Sequence, residues 1–242
     1  MIERAIAAPA TQTAPRHGAI IMDGNRRGAA AHGLPAIEGH RRGMQALRRV
    51  VDTAAHAGID VLTVYAFSEE NWQRDGSEVS ALMELGGIFV AREAASLARE
   101  GVRVRLIGRR DRLPASLRDG FAELEARTAT AQRITLNLAV DYGARSELCA
   151  AVQALARDVA AGRLDPATID EDTVAANLWT AGLPDPDLLI RTGGDLRLSN
   201  FLLFQCAYTE LWSTPTAWPD FDPPAFTRAL ASFAQRQRRF GR

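Results

Sequence analysis

Ala19-Ile20-Ile21-Met22 runs straight into Asp23-Gly24-Asn25-Arg26-Arg27-Gly28, so an apolar stretch of strand length ends in an acid, a turn glycine and paired arginines. A short apolar run bounded by turn residues fits a strand buried on both faces. An Asp at the end of such a strand can hold Mg²⁺, and Gly24 lets backbone N–H groups come close to an anion. A helix starting just after the turn would add its N-terminal dipole, and Arg26 and Arg27 would add charge-assisted bonds to phosphate oxygens. Taken alone, the segment fits a polar turn with a helix cap equally well.

Further along the chain, short β-rich runs alternate with longer amphipathic ones. Helical spacing of Met44, Leu47, Val50, Val51 and Ala54 predicts a helix over Glu38 to Ala57, stopped by Gly58. Strands are predicted over Val61 to Phe67, Val102 to Leu106, Ile134 to Val140 and Asp187 to Arg191. Helices are predicted over Glu78 to Glu100, Pro114 to Ala131, Arg145 to Ala161 and Pro223 to Arg239, with a short capped one over Asp170 to Trp179. Phe201 to Trp212 is apolar and gives no assignment. Strands alternating with helices imply an α/β fold: a single domain with a mainly parallel central sheet flanked by helices on both faces. Sites in such sheets lie at the C-terminal strand ends.

The chain has 242 residues, 47% of them apolar and 24% charged, which suits one sizeable core. Lys+Arg and Asp+Glu number 29 each, so no overall field favours nucleic acid or an anionic membrane. No apolar run approaches the ~20 residues that span a bilayer, so no stable membrane insertion is expected. Residues 1–16 are rich in Ala, Pro, Thr and Gln and lack a signal-peptide pattern, so they read as a flexible leader on a cytoplasmic protein. Cys149 and Cys206 lie far apart in apolar stretches and read as buried, reduced thiols. By composition alone, the basic run Arg236 to Arg242 is a solvated tail.

Two further segments follow predicted strands. Ser68-Glu69-Glu70-Asn71-Trp72-Gln73-Arg74 offers a hydroxyl, an amide and a guanidinium beside aromatics, which suits a charged head with a greasy tail. It also fits a helix capped by Ser68. Arg191-Thr192-Gly193-Gly194-Asp195-Leu196-Arg197-Leu198-Ser199 surrounds a Gly-Gly turn with two arginines and a serine, a second diphosphate site or a charged loop. His40 sits among basic residues, within reach of a diphosphate at the first loop. Glu210 is a lone acid in an apolar stretch and needs a partner or a metal.

In this order, the segments resemble the cis-prenyltransferase family, whose best-known members make undecaprenyl diphosphate. The resemblance runs from His17 to Gly241 and rests on His17 to Asn25, Tyr65 to Trp72, Val79 to Leu85, Ile190 to Gln205, Trp218 to Phe221 and Arg238 to Gly241. It implies a catalytic domain over residues 17–242 and an Mg²⁺-dependent transferase of isoprenoid diphosphates. It further implies that Asp23 holds Mg²⁺, with Glu210 as a second metal-associated acid. Gly24, Asn25, Arg26 and Arg27 would cradle the allylic diphosphate, with His40 beside them. Ser68, Asn71 and Arg74 would position the reacting groups, and Arg191, Arg197 and Ser199 would hold the second diphosphate. Arg239-Phe240-Gly241 matches a C-terminal motif that completes a site across a homodimer, which makes the basic tail functional.

Departures from the family pattern cluster at the first site. Arg26 replaces a usual Gly, Gly28 a usual Trp and Ala36 a usual Arg; Gly86-Gly87 follows Leu85 where an aromatic is common; and Asp141 stands where Asn is usual. Drift should not concentrate at one substrate site. The sequence is therefore expected to specify a short-chain, irregular coupler of lavandulyl type, taking dimethylallyl diphosphate as second substrate. The alternatives are a regular cis-elongating synthase using isopentenyl diphosphate and a non-catalytic partner subunit; retention of Asp23, Arg191 and Arg197 argues against the last.

Overall fold

The computed structural model describes residues 14–237. Its elements are β1 (His17–Ile21), α1 (Asn25–Ala31), α2 (Ala36–His56), β2 (Val61–Ser68), α3 (Gly76–Arg99), β3 (Val102–Ile107), α4 (Ala115–Thr128), β4 (Ile134–Tyr142), α5 (Ala144–Ala160), α6 (Glu171–Ala175), β5 (Leu188–Arg191), β6 (Glu210–Ser213) and α7 (Pro223–Ala234). One sheet holds the six strands in the order β3-β4-β2-β1-β5-β6. Every pairing is parallel.

The strands are short, β-branched and buried, as a sheet covered on both faces demands. Alternation along each strand divides the core into two layers. Ile20, Leu62, Val64, Leu136 and Leu138 join residues of α2, α3, α4 and α7 in the larger layer. Ala19, Ile21, Tyr65, Ala139 and Leu189 join Ala144, Phe201 and Leu202 in the smaller. That smaller face also carries a polar bridge: His17 Nε2 meets Thr63 Oγ1 at 2.7 Å, and Asn137 Nδ2 donates to the same oxygen at 2.9 Å.

Helix α1 lies close against α2 through glycines. A Cβ on Gly39 would sit 2.1 Å from the Asn25 carbonyl oxygen, and one on Gly43 would sit 2.5 Å from Asn25 Oδ1 and 2.9 Å from the Trp218 ring. Trp218 Nε1 donates to the Gly43 carbonyl at 2.9 Å, and Trp218 N donates to the Asp23 carbonyl at 2.9 Å. Trp218 thus locks α2, through its indole, and the Asp23 turn, through its backbone N–H, to each other.

The structure revises several expectations. The unassigned stretch over residues 201–212 contains the start of β6, an edge strand whose half-exposed residues gave no apolar run. Cys149 is exposed and Cys206 half-buried, because neighbouring alanines made the surface of α5 look apolar. Helix α3 begins at Gly76, with Asp75 accepting from Ser77 N at 2.9 Å, and runs unbroken through Gly86-Gly87. Arg16, placed in the leader, is pinned: its N–H donates to Asp187 at 2.8 Å and its Nε to Asp60 at 3.1 Å. Helix α7 ends at Ala234, and Arg239 and Gly241 lie outside the described residues. No described helix is long and apolar enough to cross a membrane.

Candidate active site

From β1 the chain proceeds to β2 on one side of the sheet, while β5 pairs with β1 on the other. This reversal opens a crevice beyond the C-terminal ends of β1 and β5, where ligands of open α/β sheets bind. Ile21 pairs with Arg191 in register, so the Asp23 turn and the Arg191 loop flank the crevice directly.

Asp23 and Arg191 meet there. Arg191 Nη2 donates to Asp23 Oδ2 at 2.8 Å, and Arg27 Nη2 donates to Oδ1 at 3.2 Å. Burial pushes the Asp23 carboxyl up, but the hydrogen bond and charge of Arg191, with the charge of Arg27, outweigh it and hold the pKa below the usual carboxylate value. Asp23 is therefore an anion at neutral pH. The loop behind it is tied down from several sides. Thr192 Oγ1 donates to the Asp23 carbonyl at 2.7 Å, and Arg27 Nη1 donates to the Gly193 carbonyl at 2.6 Å. Gly24 and Gly193 have left-handed backbones (φ 99° and 82°), and a Cβ on Gly193 would sit 2.8 Å from Arg27 Nη2. Only glycine lets these two turns pack so closely.

Arg191 is almost fully buried. Its Nη1 donates to Ser199 Oγ at 2.7 Å and to the Arg197 carbonyl, fixing the loop after the Gly-Gly turn. Its Nε has no partner. Ser199 and Asn200 take left-handed backbones (φ 48° and 61°), an uncommon state for residues other than glycine. Asn200 Nδ2 donates to Glu70 at 2.9 Å, joining this loop to the turn after β2. Arg197 is mostly exposed and pairs with Asp195 at 2.8 Å.

After β2, Glu69–Gln73 forms a 3₁₀ turn, and Ser68 N donates to Asn71 Oδ1 at 3.1 Å in a capping box. Arg74 follows and pairs with Glu78 at 3.0 Å. Ser68, Asn71, Arg74, Arg191 and Ser199 share one polar cavity with Asp23 and His40. Gly24, Asn25, Arg26 and Arg27 line a second, which shares Asp23, Asn25, His40 and Arg74 with the first. Arg26 is exposed for most of its length and lies 3.9 Å from Glu78. It adds a cation at the rim without closing the cavity.

His40 stands between the two. Burial, together with the charge of Arg74, pushes its pKa down to about 4, so the imidazole is neutral near pH 7. Its Nε2 and Asn25 Oδ1 are buried without hydrogen-bond partners. Both residues also line an apolar chamber of about 120 Å³, partly open to solvent, walled by Met44, Leu47, Phe89, Leu117 and Val140. Gly86 faces this chamber, and a Cβ there would only touch Leu117 at 3.5 Å. Two polar cavities lined by arginines, the second with an excess of positive charge, thus adjoin one greasy chamber, the shape a diphosphate with an isoprenoid tail requires.

The fold gathers Asp23, Gly24, Asn25, Arg26, Arg27, His40, Ser68, Asn71, Arg74, Arg191 and Ser199 around these cavities. Glu210 lies elsewhere in the described subunit. It starts β6, opposite Leu188, about three residues or ~10 Å short of the Asp23 end. Its carboxylate pairs with Arg236 at 2.7 Å, so this acid found a cation as its partner. Among the described residues no group of three metal-ligating side chains occurs. Asp23 still fits Mg²⁺, an ion commonly held by one or two carboxylates plus substrate phosphates, because it is anionic and opens onto both cavities. Sequence reasoning missed Thr192, Glu70 and Asn200 as supports of the site. Their partners are far away in the chain, and no local pattern marks them.

A family model described as "Putative undecaprenyl diphosphate synthase" matches residues 21–241. Isoprenyl transferase 2 of Bradyrhizobium diazoefficiens is 53% identical over 240 residues, which cover 97% of this chain and 95% of that protein. The ditrans,polycis-undecaprenyl-diphosphate synthase ((2E,6E)-farnesyl-diphosphate specific) of Xanthomonas oryzae pv. oryzae is 50% identical over 233 residues, covering 96% and 90%. Among solved structures, lavandulyl diphosphate synthase from Lavandula x intermedia in complex with dimethylallyl diphosphate superposes with a TM-score of 0.93 at 36% identity, covering 96% of this chain and all of that one.

Proposed function

Because the chain belongs to the undecaprenyl diphosphate synthase family and is a prenyltransferase, we propose that it is a Mg²⁺-dependent, cis-elongating synthase. It adds isopentenyl diphosphate to an allylic diphosphate. The observation that carries this is the pair of arginine-lined cavities sharing Asp23, His40 and Arg74 beside one apolar chamber. Curated relatives at about half identity carry undecaprenyl or isoprenyl transferase names, which favours regular elongation over the irregular coupling expected from the first-site substitutions. The lavandulyl likeness is lower in sequence and extends to the whole fold, so it does not single out irregular chemistry.

In this reading Gly24, Asn25 and Arg27 hold the allylic diphosphate, with Arg26 at the rim. Arg191, Arg197 and Ser199 hold the diphosphate of isopentenyl diphosphate. Ser68, Asn71 and Arg74 align the two. Mg²⁺ held by Asp23 and the diphosphates would supply Lewis-acid stabilisation of the departing charge. The allylic carbon–oxygen bond breaks, the double bond of isopentenyl diphosphate supplies the electrons of the new carbon–carbon bond, and a proton is lost. The arginines stabilise the leaving diphosphate, and the chamber keeps water from the cation and takes up the growing chain. Neutral His40 holds position beside the diphosphate without adding a fixed charge. A homodimer completed by Arg239 and Gly241, and a cytoplasmic location, belong to the same proposal.

The test is a product assay: purified enzyme, Mg²⁺, and geranyl or farnesyl diphosphate with isopentenyl diphosphate, then allylic diphosphates alone. Linear products that need isopentenyl diphosphate support elongation. Branched products formed from dimethylallyl diphosphate alone would replace it with irregular coupling.

A further inference from the structure

Asp141 is a fully buried acid that the proposed reaction does not use. It is the penultimate residue of β4 and has a left-handed backbone (φ 50°), a state tolerated by Asp but not favoured. Its carboxylate is fully engaged. Trp72 Nε1 donates to Oδ1 at 2.8 Å, Arg112 Nε donates to Oδ2 at 2.9 Å, and Arg112 Nη2 donates to Oδ1. The Arg112 guanidinium also stacks 5.6 Å from the centre of the Trp72 ring and lies 3.4 Å from Glu69. Trp72 itself packs edge-on against Phe67, with ring centres 5.3 Å apart.

The partners come from three places. Trp72 and Glu69 lie on the 3₁₀ turn that carries Asn71 and leads into Arg74. Arg112 lies on the loop between β3 and α4, next to Leu113 and shortly before Leu117 of the chamber wall. Asp141 belongs to the central sheet. A short 3₁₀ turn has weak internal hydrogen bonding and cannot fix its side chains unaided.

We propose that Asp141 and Arg112 are a positioning pair that clamps the turn bearing Asn71 and Arg74 to the sheet and to the loop beside the chamber wall. The pair would hold those two side chains at the diphosphate cavity through the Trp72 indole, without touching substrate. This rests on the proposed role of that cavity. It gives the departure at Asp141 a use, because a carboxylate accepts the bidentate guanidinium and the indole together.

Three variants of the full chain test it. Trp72→Phe removes the indole N–H and keeps an aromatic ring. Asp141→Gly removes the carboxylate while easing the left-handed backbone. Asp141→Asn keeps an acceptor oxygen in place. Two quantities are read: turnover of farnesyl with isopentenyl diphosphate, and the Kd of inorganic pyrophosphate with Mg²⁺, alongside thermal melting. Trp72→Phe and Asp141→Gly are expected to lower kcat about 10- to 100-fold, as small misplacements of aligned groups do, and to weaken pyrophosphate at least about 3-fold. Asp141→Asn, which can keep the acceptor for the indole but turns an amide donor toward Arg112 Nε, is expected to fall between the parent and Asp141→Gly in both. A melting temperature of Trp72→Phe close to the parent excludes general unfolding as the cause. Unchanged pyrophosphate affinity in Trp72→Phe and Asp141→Gly would overturn the proposal, as would losses that follow melting temperature alone. Failure of the elongation reading looks different: the parent binds pyrophosphate yet makes no product from isopentenyl diphosphate, and the affinity ratios still decide the clamp.

Discussion

Arg191 and Asp23 face each other across the central crevice at 2.8 Å, one from the last residue of β5 and the other from the turn after β1. Their strands pair in register at Ile21 and Arg191, so the sheet itself sets this distance. The pair keeps Asp23 ionised, and the Arg191 Nε beside it is buried without a partner.

Asp23→Asn keeps the shape and removes the charge. Turnover is expected to fall by about 10²- to 10³-fold, the usual cost of losing one electrostatic stabiliser. Chelating divalent metal should abolish turnover in the parent, and refilling with Mg²⁺ should restore it. Steady-state kinetics with isoprenoid diphosphates check both. A variant with parental kcat would remove Asp23 from the mechanism.

Gly43→Ala tests the close packing beneath Asn25. The new methyl would meet Asn25 Oδ1 and the Trp218 ring well inside contact distance. Overpacking of this kind costs about 1–3 kcal/mol. The melting temperature should drop, and KM for the allylic substrate should rise because Asn25 is pushed from its place. A neutral effect on both would mean that α1 can shift freely.

Gly86 reports on the chamber. Gly86→Ala should stabilise the protein by up to about 1 kcal/mol, since a mid-helix glycine gives way to alanine and the added Cβ meets Leu117 at ordinary contact distance. Gly86→Phe should fill the chamber and shorten the products seen by mass spectrometry. Unchanged product length with Gly86→Phe would place the growing chain elsewhere.

His17 makes stability depend on pH. Burial pushes its pKa from 6.5 down to about 4, so the folded protein keeps it neutral. Below its ordinary value the unfolded chain takes up a proton that the folded chain does not. Its contribution is therefore intact above pH 6.5 and is lost progressively as pH falls toward 4. Between pH 7 and 5 the loss is roughly 2 kcal/mol, at about 1.4 kcal/mol per pH unit. His17→Gln should flatten that part of the curve in urea titrations. An equal slope in parent and variant would show that the buried imidazole does not carry it.

Element order was legible because burial on both faces leaves β-branched runs such as Val61 to Tyr65, and amphipathic helices show their periodicity within one segment. The edge strand over Glu210–Ser213 was not, since half its residues face solvent and its pairing partner β5 lies over twenty residues upstream. Glu210 was legible as an acid needing a partner, but its sequence could not say that Arg236 supplies one.

By itself the sequence determined the parallel α/β alternation, the three charged segments after strands, and the family they resemble. These are local facts of spacing and side-chain type. Only the tertiary structure decided that the Asp23 and Arg191 loops share one crevice, that His40 is held neutral between two cavities, and that Asp141 grips Trp72 and Arg112. Each depends on burial and on contacts between residues distant in the chain, and desolvation and pairing energies exist only once the sheet has brought those residues together.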